Sequence, residues 1–430
     1  MLMSTPGMVG CEHRCFDLKV TIFRLPAARL SPKSRKHPFS VFPIVAFVGI
    51  KDSERRDLPL EALRGLAALA VVAWHFLLAF APALLADPAY GLAGTPFYAF
   101  VHGTGAVCIF FVLSGYVLTR RYFETGQKRV LINGALKRWF RLFLPVFLSV
   151  MLSWLFFHFH LYAYESAGLE SRSDWLATFG FAMKPPFDPT FGAAVANGLS
   201  EAFFHDNNAF NPLLWTIHIE FMGSYLVFGF AALITMLRGR AEFILLAVLL
   251  IGFAAHFVEP FLFPFLPGCM LAYCAPRLKG LKGPAAAGCI LLGLVFLGYR
   301  DPVGLYGFLD FLVPINGEAL RAYTSTVGAV LMMISFIGNE RLRRFFSGAG
   351  ARLLGRLSFP IYLVHLILIF SLGSAVFLFM KSGNSAFVTL TITALALVPA
   401  IAVLATIFAV IDTQWVAFVN RISRKIIIAV

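Results

Sequence analysis

Residues 60–80 read LEALRGLAALAVVAWHFLLAF, an apolar run about long enough to cross a membrane as one helix. Arg64 lies near its start and His75 near its end. Their separation is three helical turns plus roughly 20°, so both side chains are predicted on one face, about 16 Å apart along the axis. A titratable group inside a membrane helix is costly and usually marks a pathway or a site. Small residues between the two predict a groove for a slender chain on that face: Ala67, Ala68, Val71 and Val72.

A plainer interpretation of this helix stays open. Arg64 would snorkel to the lipid headgroups, and His75 would only bond a neighbouring helix. The residues of this helix alone do not decide between the two interpretations.

The composition places the chain among membrane proteins. Of its 430 residues, 59% are hydrophobic and 13% are charged, and the mean hydropathy is +0.80. These values exclude an ordinary soluble domain and indicate an all-α, polytopic membrane helical bundle. Six cysteines do not form a disulfide framework, because most of them lie in apolar stretches. Cys11, His13 and Cys15 lack a second cluster, so no metal site is predicted.

Ten membrane-spanning helices are predicted within a transmembrane domain over residues 58–411. Residues 1–57 are basic and contain several prolines, and we expect a disordered cytoplasmic extension there. Residues 412–430 are expected to form a basic cytoplasmic tail. The sixth span is short, so it could instead pair with the fifth as a hairpin that does not fully cross. After Leu60–Phe80 the predicted spans are Phe100–Tyr122, Trp139–Leu161, Leu213–Leu237, Phe243–Val258, Phe261–Tyr273, Pro284–Leu297, Ala322–Ile337, Phe359–Phe379 and Phe387–Ile411.

Lysine and arginine concentrate on one side of these spans. With the N-terminus inside, the inner segments carry 30 of them and the outer segments carry 5. The positive-inside rule therefore places both termini in the cytoplasm. Because this asymmetry accounts for the net charge of +14, we expect no nucleic-acid partner. The sequence shows no sustained internal repeat of the kind found in many secondary transporters.

The longest outer segment, residues 162–212, combines acids, amides and aromatic rings. Such a surface could hold a carbohydrate. From the residues alone, an ordinary solvated loop with an interfacial helix is the favoured expectation.

Polar residues also occur inside the second and third spans. Ser114 lies in the second span, where a Ser-Gly pair allows a helix or a ligand to approach closely. Arg138 and Arg141 are three residues apart, so they share a face at the cytoplasmic mouth, where paired guanidiniums suit phosphate oxygens. Helix packing and anionic lipid headgroups are the competing explanations.

The fourth span carries Glu220 at about the same depth below the outer surface as His75. If the two helices are neighbours, a carboxylate beside a desolvated histidine can tune it as a general base. His365 in the ninth span is predicted at shallow cytoplasmic depth. For His365, a structural hydrogen bond is favoured over catalysis.

Taken in order, these segments resemble the acyltransferase-3 family of integral membrane O-acyltransferases, from about Leu58 to Ile411. The most specific element is an arginine and a histidine separated by ten residues, here Arg64 and His75. The sequence departs from the family pattern at two places. Glu61-Ala62 stands where the family often has Asp-Gly, and His218 stands where the family usually has a small polar residue. The histidine at 218 suggests a different acceptor. The supporting segments are FFVLSGYVL at 110–118, the basic entry at 137–145, residues 215–220 and LSFPIYLVH at 357–365.

The resemblance implies transfer of an acyl group, commonly acetyl, from cytoplasmic acyl-coenzyme A to a hydroxyl of a cell-surface or lipid-linked carbohydrate. It implies that His75 acts as general base and that Glu220 orients it or eases acceptor entry. A transient acyl-imidazole on His75 would need the same residues. No permanently bound cofactor is implied. The implied acyl-CoA ligands are Arg64, Ser114, Arg138 and Arg141, with possible support from Trp215, Tyr362 and His365.

The same resemblance suggests a multi-pass protein of the bacterial inner membrane, with acyl-CoA, a carbohydrate or glycolipid acceptor, and lipids as partners. The rival class is a transporter or flippase in which Arg64, His75 and Glu220 form a proton or substrate path. A membrane sensor or scaffold is a third class.

Overall fold

The computed structural model describes residues 57–86, 91–182, 187–237 and 240–428, except for the side chains of 86, 312–316 and 424–428. The expected extension over residues 1–57 lies outside these ranges apart from Asp57, and so do Cys11, His13 and Cys15. Within the described ranges the regular structure is helical and no strand occurs. Nine of the described helices are long and apolar enough to cross a membrane, and one shorter apolar helix accompanies them. The prediction of an all-α membrane bundle is confirmed.

Ten helices, α1 to α10, correspond to the ten predicted spans. A 3₁₀ turn, Pro212–Leu214, leads into α4, and another, Pro260–Leu262, precedes α6. A π-helical turn, Ile369–Gly373, and the helix Ser374–Lys381 continue the ninth helix. The bounds are α1 Leu58–Phe80, α2 Gly103–Thr125, α3 Lys128–His158, α4 Trp215–Met236, α5 Ala241–Val258, α6 Phe265–Leu278, α7 Gly283–Leu297, α8 Val313–Gly338, α9 Ala349–Leu368 and α10 Ala386–Ile428.

Four of these helices extend well beyond their apolar runs, and one of them is α8, which begins at Val313 instead of Ala322. Helix α3 begins at Lys128 instead of Trp139, and α9 begins at Ala349 instead of Phe359. Helix α10 continues through the residues assigned to a cytoplasmic tail as far as Ile428. Lysine, arginine and alanine are good helix formers, so a helix can continue past the apolar run that marks its span.

Two glycines allow α2 and α6 to pack backbone against backbone. A Cβ at Gly115 would lie 2.2 Å from the Phe265 carbonyl oxygen, and one at Gly268 would lie 2.1 Å from that of Val112. Only glycine permits so close an approach at either position. The Ser-Gly pair of the second span therefore serves helix packing through its glycine.

The outer segment is folded, so the expectation of an ordinary solvated loop there is wrong. Ala167, Leu176 and Phe179 have no exposed surface. The Phe179 ring packs on Phe370, with the ring centroids 4.5 Å apart. The segment buries apolar side chains against the bundle because it is rich in aromatic residues. Its short helices are Tyr164–Ser171, Asp174–Ala177, Phe191–Ala196 and Ala202–Phe204.

Candidate active site

His75 on α1 and His365 on α9 face each other inside the bundle. His75 Nδ1 lies 3.0 Å from His365 Nε2, and the two residues are 7% and 0% exposed. His365 Nδ1 lies 3.0 Å from the carbonyl oxygen of Ile361 and 2.8 Å from that of Tyr362. The two rings therefore form a chain of hydrogen bonds that ends on the backbone of α9.

This chain of bonds assigns the protons of both neutral rings. A carbonyl oxygen can only accept, so His365 Nδ1 carries the proton and His365 Nε2 is an acceptor. His75 Nδ1 must then carry a proton and donate it to His365. His75 Nε2 is left with a free lone pair, which is the state that a general base requires.

The predicted partner of His75 is therefore wrong. The residue bonded to its Nδ1 is His365, whereas Glu220 bonds Arg138 and Ser114. The predicted cytoplasmic depth of His365 is wrong as well. The bond to His75 puts both histidines at the same level of the bundle, eleven residues along α1 from Arg64.

A cavity of about 140 Å³ lies beside His75. It is bounded by helix residues and by Trp175, Gly180 and Asn208 of the outer segment. The Trp175 ring stacks on the His75 ring, with the centroids 5.2 Å apart and the planes at 23°. Aromatic faces next to a few polar groups suit a hydroxylated organic ligand. The lining residues from the helices and their ends include Val71, Trp74, His75, Thr104, Trp215 and Tyr362.

The outer segment is held onto the end of α1 by two serine hydroxyls. Ser171 Oγ donates to the Ala79 carbonyl at 2.7 Å, and Ser173 Oγ donates to the Leu78 carbonyl at 2.6 Å. These carbonyls belong to the last turn of α1, where no helical N–H is left to bond them. Both hydroxyls therefore cap α1, and they fix the start of the short helix that carries Trp175.

Ser114, Arg138 and Glu220 form a second polar cluster in the interior. Glu220 Oε1 accepts hydrogen bonds from the Ser114 hydroxyl and from Arg138 Nη2. The side chains of Arg138 and Glu220 are only 11% and 16% exposed. Arg138 Nε is buried and has no hydrogen-bond partner among the described residues. Arg138 thus faces the bundle interior, where it pairs with Glu220.

Arg64 and His75 do share a face, as predicted, but that face packs on α9. Arg64 Nε donates to Ser358 Oγ at 2.8 Å, and Arg64 Nη2 donates to the Gly355 carbonyl at 2.6 Å. His75 bonds His365 further along the same helix. The small residues expected to form an open groove between Arg64 and His75 are instead buried: Ala67, Ala68 and Val71.

Arg64 and Arg141 are also paired with acids. Arg64 Nη2 lies 2.9 Å from Glu61 Oε2, and Arg141 Nη1 lies 2.8 Å from Asp412 Oδ1. Their side chains are 30% and 41% exposed. Arg138 and Arg141 therefore point to different helices, α4 and α10, and do not form a two-arginine fork.

Trp215 and Tyr362, predicted only as support, both line the cavity. Trp175 and Asn208 also line it but were not among the predicted site residues. A tryptophan in a segment interpreted as a solvated loop was the available signal, because large aromatic side chains are usually buried on one side.

Comparison with known proteins gives two matches to this chain. A family model described as an acyltransferase domain, Acyl_transf_3, matches residues 58–411. The O-acetyltransferase PaAT-1 of Phomopsis amygdali is 25% identical over 369 residues, which cover 74% of this chain and 73% of that protein. No solved structure matches significantly. The matched family range contains the histidine pair, the cavity and the Ser114–Arg138–Glu220 cluster.

Proposed function

This chain belongs to the Acyl_transf_3 family of acyltransferases, and from that membership we propose that it acylates a carbohydrate hydroxyl using cytoplasmic acyl-coenzyme A. The membership confirms an integral membrane O-acyltransferase over the transporter alternative. We take acetyl as the acyl group because the Phomopsis amygdali relative is named an O-acetyltransferase. The observation that carries the proposal is the hydrogen bond between His75 and His365 beside the cavity, from which we infer that His75 Nε2 is an acceptor.

In the proposed reaction, His75 Nε2 takes the proton of the acceptor hydroxyl. The hydroxyl oxygen bonds to the thioester carbonyl carbon, the carbon–sulfur bond breaks, and the leaving coenzyme A thiolate takes the proton from His75. The transient imidazolium is supported because His75 Nδ1 donates to His365 Nε2 throughout. General-base catalysis of this kind contributes typically about 10²- to 10⁴-fold to the rate.

Polar side chains support a donor path through the interior instead of along the small-residue face of α1. Arg64 lies at the cytoplasmic start of α1 and is within electrostatic range of Glu220. The Ser114–Arg138–Glu220 cluster follows, and then the hydroxyls of Thr216 and Tyr362, which lie 2.7 Å apart. The Tyr362 side chain reaches the cavity that contains His75.

We assign the arginines to different parts of the donor. Arg64 and Arg141, which are partly exposed, would bind the coenzyme A phosphates by exchanging their carboxylate partners for phosphate. Arg138 would bind a polar group of the donor deeper in the path, because its buried Nε is an unsatisfied donor. Glu220 would be a positioning residue that holds Arg138 in place.

We expect a multi-pass location in a bacterial inner membrane, with both termini inside and the cavity toward the outer side. The acceptor would be a cell-surface or lipid-linked carbohydrate that enters past the outer segment.

The test uses purified full-length protein in nanodiscs, radiolabelled acetyl-CoA and methyl glucoside as the acceptor probe. We expect His75→Ala to bind acetyl-CoA as the wild type does and to transfer acetyl at least 10²-fold more slowly. His256→Ala is the matched control. His256 is another histidine in a membrane helix, but its Nδ1 bonds Tyr323 Oη at 2.9 Å and the residue lies outside the cavity.

Normal turnover in His75→Ala would contradict the base assignment. Wild-type protein that releases no coenzyme A in the presence of acceptor would contradict the proposed donor chemistry. Rapid denaturation at neutral pH during turnover separates the two catalytic routes, because only the acyl-imidazole route leaves label on the protein.

A further inference from the structure

The Tyr362 hydroxyl bonds to a threonine whose own proton is already committed. Thr216 Oγ1 lies 2.8 Å from the Leu213 carbonyl oxygen and 2.7 Å from Tyr362 Oη. A carbonyl oxygen only accepts, so the single Thr216 hydroxyl proton goes to Leu213. Both bonds can exist together only if Tyr362 donates its own proton to Thr216.

Tyr362 Oη therefore has no proton left for the cavity that its side chain lines. What it can offer a ligand is a lone pair. His75 lines the same cavity, and its Nε2 is likewise left as an acceptor by the bond to His365. Two acceptors without protons thus belong to one small cavity.

We infer that this cavity selects a vicinal diol. One hydroxyl gives its proton to His75 Nε2 and is acylated, while the neighbouring hydroxyl donates a hydrogen bond to Tyr362 Oη. The inference rests on the proposed function and narrows its acceptor to molecules with two adjacent hydroxyls. Cavities of roughly 150 Å³ accommodate one benzene-sized ring, so the 140 Å³ present here suits a single small ring.

The test compares three alcohols that have the same cyclopentane ring. It uses full-length protein in nanodiscs and acetyl-CoA as the donor. The alcohols are cis-1,2-cyclopentanediol, cyclopentanol and cis-2-methoxycyclopentanol. We expect kcat/KM for the diol to exceed that for cyclopentanol by about tenfold, the effect of one good hydrogen bond. The methoxy alcohol keeps the second oxygen but has no second proton, so it should behave like cyclopentanol.

Tyr362→Phe should reduce the ratio of kcat/KM for the diol to kcat/KM for cyclopentanol from about ten to about one. Both alcohols use the same donor, so any effect of the variant on acetyl-CoA cancels in this ratio. Tyr122→Phe is the matched control, because Tyr122 Oη also donates to a threonine hydroxyl, Thr235 Oγ1 at 2.9 Å, and Tyr122 lies outside the cavity. The control variant should keep the tenfold preference.

Several results would overturn the inference. Equal rates for diol and cyclopentanol would do so, and so would a preference that survives in Tyr362→Phe. A methoxy alcohol as good as the diol would show that Tyr362 donates instead of accepting. Acetylation of methyl glucoside without any reaction of the cyclopentane alcohols would show that the cavity does not select a diol on a single small ring. Failure of the proposed function differs from all of these, because no alcohol would then release coenzyme A.

Discussion

Arg138 and Glu220 form an ion pair in the interior of the bundle, where their side chains are 11% and 16% exposed. The Ser114 hydroxyl donates to the same carboxylate oxygen. Replacing only one residue of a buried ion pair is costly, because the remaining charge is then buried without a partner. The pair therefore affects stability as well as the proposed donor path.

We expect Arg138→Leu to destabilise the protein by about 3–5 kcal/mol, because Glu220 would remain buried without its partner. The double variant Arg138→Leu with Glu220→Leu should recover most of that loss and still lack activity. Thermal unfolding in detergent measures the first effect, and acetyl transfer measures the second. A double variant no more stable than Arg138→Leu would contradict this account.

Replacing His365 should lower kcat without changing the KM for acetyl-CoA. His365→Leu removes the acceptor for His75 Nδ1–H, so the ring is no longer held in one tautomer, and we expect kcat to fall about 10²-fold. His365→Gln keeps an acceptor oxygen and should retain more activity than His365→Leu. Steady-state kinetics of both variants check this, and full activity in His365→Leu would contradict the role of His365 in holding the His75 ring.

The serine caps of α1 should affect both stability and acceptor affinity. Ser171→Ala combined with Ser173→Ala removes the two hydrogen bonds to α1, each worth about 1 kcal/mol, together with the bond that the Leu176 N–H donates to Ser173 Oγ. Looser attachment of the segment that carries Trp175 should raise the KM for the acceptor and leave the KM for acetyl-CoA unchanged. Thr178→Ala is the control, since Thr178 Oγ1 bonds only within its own segment. Equal acceptor KM values in all variants would exclude a role for the caps.

Exchanging Arg64 and Arg141 for glutamine should raise the KM for acetyl-CoA about tenfold. Acetyl-pantetheine lacks the nucleotide phosphates, so its KM should not respond. Lys128→Gln with Arg129→Gln removes the same charge from the start of α3 and serves as the control. A similar rise for both donors would show a structural effect instead of phosphate binding.

His102 should make the protein sensitive to acid. Its Nδ1 donates to the Leu297 carbonyl at 2.6 Å, and burial lowers the pKa of His102 from 6.5 to about 4. The unfolded chain therefore binds the proton first as the pH falls. The contribution of His102 to the free energy of unfolding is therefore complete above pH 6.5. About 3 kcal/mol of that free energy is lost by pH 4.

Unfolding measured between pH 7 and pH 4 tests this contribution. His102→Gln should show a shallower loss of stability with acid than the wild type does. His205→Gln, at an exposed position, should keep the wild-type slope. Equal slopes for all three proteins would contradict the assignment to His102.

The sequence predicted the spans well because apolar runs of membrane length have few other uses. The shared face of Arg64 and His75 was also predictable, because helical periodicity is local. The partner of His75 was not, since it depends on which helices are neighbours and on where each one begins. His365 was predicted too near the cytoplasmic end because its bond to His75 on α1 is a contact between distant segments.

The groove expected beside His75 failed for a related reason. Small residues on the face of a membrane helix allow another group to lie close to its backbone. That group can be a neighbouring helix as well as a ligand. Here α9 approaches so closely that a Cβ at Gly65 would lie 2.5 Å from Leu354 Cβ. Pattern alone does not distinguish the two occupants.

The π-helical turn Ile369–Gly373 has one more residue than an α-helical turn would hold. Deleting a single residue there would restore ordinary winding and rotate the helix Ser374–Lys381 by about 100°. Phe377 would then lose its stacking contact with Phe80. The Phe370 carbonyl oxygen, which accepts a hydrogen bond from the Ala163 N–H at 3.0 Å, would turn away from it. A deletion in this stretch should thus loosen the outer segment that carries Trp175 over the cavity, although no residue that lines the cavity has been altered.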